Sequence, residues 1–388
     1  MPESPNRRRR CNLKILNFCP AAIVTGRGSL AYLKELEGRR VLVVCGGSSM
    51  ERAGVLDRVQ SYLEEGGREV AFFRGIRQDP TRQQIDEGVA LMRQFQPDTV
   101  VAVGGGSSMD AAKAMMLFYE FPELNLDVIG KVPFPKVRKL KLVAVPSTSG
   151  TASEVTRTSV VTDPDKQLKI PVIDQILKPD VAILDADLPM TMPDHIAAET
   201  GMDAMAHAIE CYTRHDLDDF DEVLARGAVE GILKWLPVSV LEKTPEAREK
   251  MHHYQCMAGM AFTNVGVTAV HGISHALGAM YHIPHGLGNA ILLPFVLAFN
   301  RQDTVAAQRL DAISRYCGVP DIVQALADLK SALGIPATLR DQGLDEASFL
   351  RDLDTIAEKS LMGATKFNPV SMDMDNMRQL LRTVYYGD

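Results

Sequence analysis

Thr99-Val-Val-Ala-Val-Gly-Gly-Gly-Ser-Ser-Met-Asp110 is the segment from which the architecture of this chain can be read. A short, unbroken apolar run stops at three glycines, and helical residues take over from Ser107 to about Tyr119. Such a run bounded by glycine reads as a buried strand. Strand, glycine turn and helix together open a βα unit. The same alternation surrounds it. Val41-Leu-Val-Val-Cys45 predicts a strand followed by a helix over 51–64, and 69–73 a strand followed by a helix over 81–95. Further strands are expected at 140–145 and 181–184. Continuous apolar strands alternating with helices imply a parallel sheet covered on both faces.

The pattern changes near Leu188-Pro-Met-Thr-Met-Pro193. Beyond it helical periodicity dominates, with segments expected at 194–213, 219–243, 246–263, 268–280, 288–299, 303–317, 319–333, 346–358 and 373–386. The expectation is a dinucleotide-binding α/β domain over 1–190 and an all-helical domain over 191–388, carrying the metal and substrate. With 388 residues, 46% hydrophobic and 23% charged, the chain has the composition of a globular enzyme. Its net charge of -7 argues against nucleic acid as the main partner. The Arg7–Arg10 run reads as a solvated tail. No apolar stretch approaches the roughly 18 residues needed to cross a bilayer, and no signal-peptide core follows the arginines, so a cytoplasmic enzyme with no membrane partner is expected. The six cysteines contain no Cys-x-x-Cys pair, which predicts reduced thiols that are not metal ligands.

Three loops in the first half have phosphate-binding character. Gly104, Gly105, Gly106, Ser107 and Asp110 lie between a strand and a helix, where glycines admit close backbone approach and the helix N-terminus offers free N–H groups. The spaced G-x-G-x-x-G fingerprint is absent. Pro146-Ser-Thr-Ser-Gly-Thr-Ala-Ser-Glu-Val155 supplies hydroxyls at Ser147, Thr148, Ser149 and Thr151, although Ser and Thr also favour caps and turns. Two such loops at strand ends suit a dinucleotide. After the first strand, Gly46-Gly-Ser48-Ser49 lacks the acid that an NAD-selective site places on the ribose. With Arg52 nearby, this leaves room for a 2′-phosphate and favours NADP(H) slightly over NAD(H). The alternative is a plain glycine turn that tolerates either.

The second half contains a different chemistry. Asp203 and His207 are four residues apart, as are His271 and His275, and on helices each pair shares a face. His285 follows a proline-marked break. A lone buried histidine is more often a satisfied core residue, but two such pairs with a fifth group indicate a divalent-metal site, with imidazole suiting iron, zinc or nickel.

The order Asp-x3-His, then His-x3-His-x9-His, resembles the iron-containing (group III) alcohol dehydrogenase family over nearly the whole chain. The resemblance rests on Gly104–Asp110, Pro146–Val155, Gly201-Met-Asp203 with His207, His271-Gly, His275 and Pro284-His285-Gly. It implies a Rossmann-like N-terminal domain plus an all-α C-terminal domain, the dehydroquinate synthase-like fold, and a homodimer or larger homo-oligomer. It also implies metal ligation by Asp203, His207, His271 and His285, with Fe2+ expected and Zn2+ or Mn2+ compatible. His275 would lie near the nicotinamide and serve a proton relay, or else orient a ligand. Lys169 matches a lysine close to the cofactor ribose. The Gly46–Ser49 stretch looks more like the NADPH-using butanol dehydrogenase branch than members with Asp after the first strand. Thr158, Phe262, His282, Lys366 and Phe367 resemble the family's substrate pocket.

The expected activity is therefore hydride transfer between a small primary alcohol or its aldehyde and NAD(P)(H), on a Lewis-acidic metal. Lys366 stands where most members have a small residue. A reductase of anionic aldehydes is one alternative. A non-redox lyase resembling dehydroquinate synthase is a second, although that pattern uses a glutamate with two histidines. A metal hydrolase is a more remote third.

Overall fold

A computed structural model describes residues 16–166 and 168–387. The Arg7–Arg10 run and Cys11 lie outside the described residues. The first strand is β1 (Ala22–Thr25), which the sequence pattern did not reveal. It is followed by β2 (Arg40–Gly46), the short helix α1 (Ser48–Arg52), α2 (Val55–Glu65), β3 (Glu69–Ile76), α3 (Arg82–Phe95), β4 (Thr99–Gly104), α4 (Gly106–Glu120) and β5 (Lys141–Pro146). The expected helix over 51–64 is broken in two. Gly54 takes φ +63, a left-handed conformation that interrupts the helix and that glycine adopts at little cost.

A hairpin, β6 (Thr158–Asp163) and β7 (Leu168–Ile173), and then β8 (Val181–Leu184) complete this half. The hairpin is antiparallel and stands apart from the main sheet. β6 alternates half-buried and buried residues and β7 is largely exposed or half-buried, a weaker signal than the continuous valines of β2 and β4. The main sheet has the order β1-β8-β5-β4-β2-β3, and every pairing in it is parallel. From β2 the chain moves outward to β3 and then returns to the other side of β2 as β4. That reversal is a topological switch point, and it opens a crevice at the carboxyl ends of β2 and β4. Gly46 and Gly104 end those two strands, and Gly104 is paired with Pro146 at the end of β5. All three loops singled out above therefore meet along one edge.

The helical half comprises α5 (Asp194–Thr213), α6 (Asp219–Pro237), α7 (Pro245–Val265), α8 (Ala269–Tyr281), α9 (His285–Asn300), α10 (Thr304–Cys317), α11 (Ile322–Ala332), α12 (Glu346–Ser360) and α13 (Met374–Tyr386). The helix expected over 219–243 stops being α-helical at Pro237 and continues as a π turn over Val238–Glu242. Proline offers no N–H to the turn before it, so the α ladder is lost there. α9 starts at His285, three residues earlier than expected, directly after Pro284. α5 is buried almost continuously from Gly201 to Thr213, packed among α6, α7 and α9. Its burial fixes the position of everything it carries.

Cys45, Cys211 and Cys256 are buried free thiols, while Cys317 is half-buried and Cys19 exposed. Among the described residues no single helix is long and apolar enough to cross a membrane.

Candidate active site

Three helices deliver the metal-type donors. Asp203 and His207 project from one face of α5, His271 from α8, and His285 from the first turn of α9. Their donor atoms converge on one carboxylate oxygen. Asp203 Oδ1 lies 3.6 Å from His285 Nε2, 3.7 Å from His271 Nε2 and 4.0 Å from His207 Nε2. Asp203, His207 and His271 are buried, and one donor atom from each lies within 4.8 Å of the others. Among the described residues no lysine or arginine pairs with Asp203. A buried carboxylate ringed by imidazole lone pairs has the chemistry of a cation site, so this donor set fits a divalent metal.

The surrounding groups fix these donors. His271 Nδ1 is hydrogen-bonded to Glu210, which is itself held by the Thr268 hydroxyl and, at 2.8 Å, by the Val270 amide. Donation from Nδ1 to Glu210 leaves the Nε2 lone pair facing Asp203, the tautomer a metal requires. Asn289, one turn beyond His285, donates its amide to Asp203 Oδ1 at 2.6 Å and approaches the Nε2 atoms of His271 and His285 at 3.2 Å. His207 stacks on Phe262, with ring centroids 4.2 Å apart. Neither Glu210 nor Asn289 was expected from the sequence. Asn289 lies at helical spacing from His285, a signal the sequence does contain, while the partners on other helices are brought close by the packing of α9 on α5 and of α8 on α9.

The electrostatics follow from the same contacts. Burial opposes ionisation of Asp203, but the three histidines outweigh it and hold the carboxyl well below its usual range. Burial disfavours the His271 cation, yet Glu210 and Asp203 prevail and raise it to about 9, so a metal at this point would take the place of a proton on Nε2. Burial dominates at the other two, which fall to about 3 for His207 and about 4 for His285. At neutral pH both are uncharged bases.

His275 sits beside this cluster. Its ring stacks on His285 at 5.0 Å and meets His271 edge-on at 6.3 Å. Solvent reaches it, but protein surrounds it at longer range; that burial, with the neighbouring histidine charges, pushes its pKa well below the ordinary value.

On the sheet side, α4 begins at Gly106 with Gly105 as its cap and no capping side chain, so its first amides are available to an anion. Gly104 has φ +145, and a Cβ there would lie 2.5 Å from Ser108 Oγ. A Cβ on Gly106 would meet Thr151 Oγ1 at 2.9 Å, so Thr151 can sit this close only because that glycine is bare. The Ser147 amide donates to Gly104 O at 2.8 Å, and a Cβ on Gly105 would sit 3.5 Å from Thr148. Ser48 and Ser49 open α1, where Arg52 donates to the Ser48 hydroxyl.

Asp110 ties the two loops together. Its carboxylate accepts from Ser153 Oγ at 2.9 Å and from the Val160 amide at 3.0 Å. It sits one helical turn beyond Gly106 and braces the second loop from behind. Lys113, fully buried, continues the brace, donating to Ser153 O at 2.7 Å, Thr158 O at 2.9 Å and Thr156 O at 3.1 Å. Lys169 projects from β7 to pair with Asp79 at 2.9 Å. Of the pocket candidates, Phe262 touches the metal cluster, and Thr158, whose carbonyl Lys113 holds, begins β6. His282, Lys366 and Phe367 are exposed, and the Lys366 ammonium lies 4.9 Å over the Phe367 ring.

Comparison with known proteins converges on one family. Residues 20–186 match iron-containing alcohol dehydrogenase, and residues 197–385 match the C-terminal part of the Fe-containing alcohol dehydrogenase family. The NADPH-dependent butanol dehydrogenase of Clostridium saccharobutylicum is 43% identical over 381 residues, covering 95% of this chain and 97% of the relative. The iron-containing alcohol dehydrogenase of Thermococcus thioreducens superposes with a TM-score of 0.90 at 36% identity, covering 96% of this chain and all of that one. A sulfoacetaldehyde reductase from Bifidobacterium kashiwanohense, in complex with NAD+, superposes at 0.87 with 27% identity, covering 97% of this chain and all of that one.

Proposed function

We infer the details of the reaction from one premise: this chain belongs to the iron-containing alcohol dehydrogenase family and interconverts an alcohol and its aldehyde with a nicotinamide cofactor. The observation carrying the site assignment is the convergence of three imidazole Nε2 atoms on Asp203 Oδ1. Asp203, His207, His271 and His285 would hold the iron. When bound, the metal supplies Lewis acidity that stabilises the alcohol oxygen as its proton leaves. Glu210 keeps His271 in the tautomer that presents Nε2. Asn289 keeps Asp203 aimed at the same point.

The chain's other residues bind, orient and move a proton. The uncapped N-terminus of α4 and the Gly104–Ser107 loop would receive the pyrophosphate, and Ser147, Thr148 and Thr151 would line the path towards the nicotinamide. The adenosine end would lie over Gly46, Gly47, Ser48 and Ser49. With no acid in that turn and with Arg52 held at Ser48, we favour NADP(H) over NAD(H); the NADPH dependence of the Clostridium relative supports this. His275 stays a neutral base across the physiological range because of its depressed pKa. We assign it the passing of the alcohol proton towards solvent, and its exposed ring stacked on His285 supports this.

The substrate would be a short primary alcohol, with Phe262 and Thr158 lining its pocket. This reading is supported by the apolar Phe262 face packed on His207 and by the butanol dehydrogenase relative. His282 and Lys366 would stand further out, since both are exposed. A domain division near residue 190 fits the interval between β8 and α5. The family resemblance also supports a homodimer or larger assembly. A panel of primary alcohols and aldehydes, assayed with NADPH and NADH after anaerobic iron loading, tests the reading. NADPH-linked turnover of short unbranched substrates supports it, while bound cofactor that is never net oxidised or reduced would contradict it.

A further inference from the structure

The turn Gln78-Asp79-Pro80 between β3 and α3 belongs to no motif, yet it lies against the glycine loop. The Asp79 amide donates to Ser107 Oγ at 3.3 Å, and its carboxylate meets Lys169 Nζ at 2.9 Å. Backbone contacts hold both partners. Asp79 takes φ +57, a conformation costly for a residue with a side chain. The Thr162 amide donates to Pro80 O at 2.8 Å, Thr81 bridges Thr162, and Thr162 is the cross-strand partner of Lys169. The pair therefore spans two elements whose spacing is set by the main chain. The Asp79 charge reaches Asp110 beneath the loop, and both charges reach His285.

A carboxylate is an odd neighbour for a loop that receives a pyrophosphate. The pair gains little in stability, because Asp79 is 49% exposed and Lys169 24%. Its location offers a better reason. We propose that Asp79 is a specificity-determining residue for the cofactor, opposing anionic ligands on the glycine loop except where Lys169 offsets its charge. This rests on the reading that the Gly104–Ser107 loop takes a dinucleotide. Lys169 then acts mainly by neutralising Asp79. Losing Lys169 leaves an unpaired carboxylate facing the phosphates, a larger penalty than losing one attractive contact.

The test is a cycle of four full-length proteins: wild type, Lys169→Met, Asp79→Asn and the double variant. Dissociation constants for NADPH and NADH are read by fluorescence titration at low and high salt, with melting temperatures as a check on folding. Lys169→Met should weaken NADPH about tenfold or more. Asp79→Asn should tighten it about threefold and raise the preference for NADPH over NADH, since NADPH carries the larger negative charge. The double variant should recover most of the loss, and all three effects should shrink in high salt. A structural role for the pair would lower the melting temperature without that rescue. Losses that multiply in the double variant, or an Asp79→Asn protein that binds NADPH more weakly, would overturn the inference. So would a Lys169→Met protein with unchanged affinity when wild type binds normally. A wild type that binds no dinucleotide would overturn the loop assignment as well.

Discussion

The two halves of this site are built from different materials. On the sheet side the binding groups are main-chain amides and small hydroxyls on loops, and glycine's missing side chain is what lets Gly104 and Gly106 approach their neighbours. On the helical side the groups are side chains projecting from α5, α8 and α9, with Asp203, His207 and His271 buried and His285 half-buried at the rim. On the proposed reading, an extended, flexible cofactor would be met by backbone, which is tolerant of small shifts. The metal would be met by rigid helices, which hold donor atoms to a fraction of an ångström. The comparison predicts that substitutions on the helical side act nearly all-or-none, while those on the sheet side are graded.

The largest expected effect lies in the metal half. Asp203→Ala should remove iron and turnover together, because the remaining imidazoles have no anion to balance the cation. His275→Ala should keep the iron and lower kcat by about 10²-fold, the usual scale for a lost proton-transfer group. Loss of iron in His275→Ala would make His275 a ligand and blur the division drawn here.

Next comes the brace between the two loops. Lys113→Met removes a fully buried cation from beside Asp110 and should cost about 3–5 kcal/mol of stability, read by denaturant unfolding. Burial lowers the Lys113 pKa to about 8 from its ordinary 10.5, despite the attraction of Asp110 and Glu154. The unfolded chain thus binds more protons between those values. Lys113 therefore adds a rise in wild-type stability from pH 8 to 10.5 that the variant lacks. Equal slopes in the two proteins would remove Lys113 from the account.

Glu210→Gln should weaken iron affinity about 10–100-fold while leaving the fold intact, as loss of the group that orients a ligating histidine does. Gly106→Ala should be milder. Its Cβ would crowd Thr151, an overpacking cost of about 1–3 kcal/mol, seen as a weaker cofactor Kd. Thr151→Ser in the same chain should restore part of it. A Gly106→Ala effect as severe as Asp203→Ala would erase the contrast between the halves.

Legibility follows the same division. The Gly104–Asp110 segment could be read as strand, turn and helix because all its signals are adjacent in the chain. The metal donors could be grouped because two pairs keep helical spacing and the family resemblance completes the set. Glu210 was invisible for the opposite reason: its partner His271 is sixty-one residues away and reaches it only when α8 packs on α9 and α9 on α5. Asp110 was expected at the cofactor loop from its place in the segment, but its hydrogen bonds to Ser153 and Val160, more than forty residues away in the chain, could not be read from the sequence. β1 and the β6–β7 hairpin were missed because short or alternating strands leave weaker patterns than the valine runs of β2 and β4.

The central claim is that one metal is held by four side chains from three helices. Iron content per chain, measured by mass spectrometry after anaerobic loading and desalting, tests it most directly in the wild type and in alanine variants of Asp203, His207, His271 and His285. The account predicts stoichiometric iron in the wild type and a large loss in all four variants, with melting curves showing that each is folded. Stoichiometric iron retained in any of the four would contradict it.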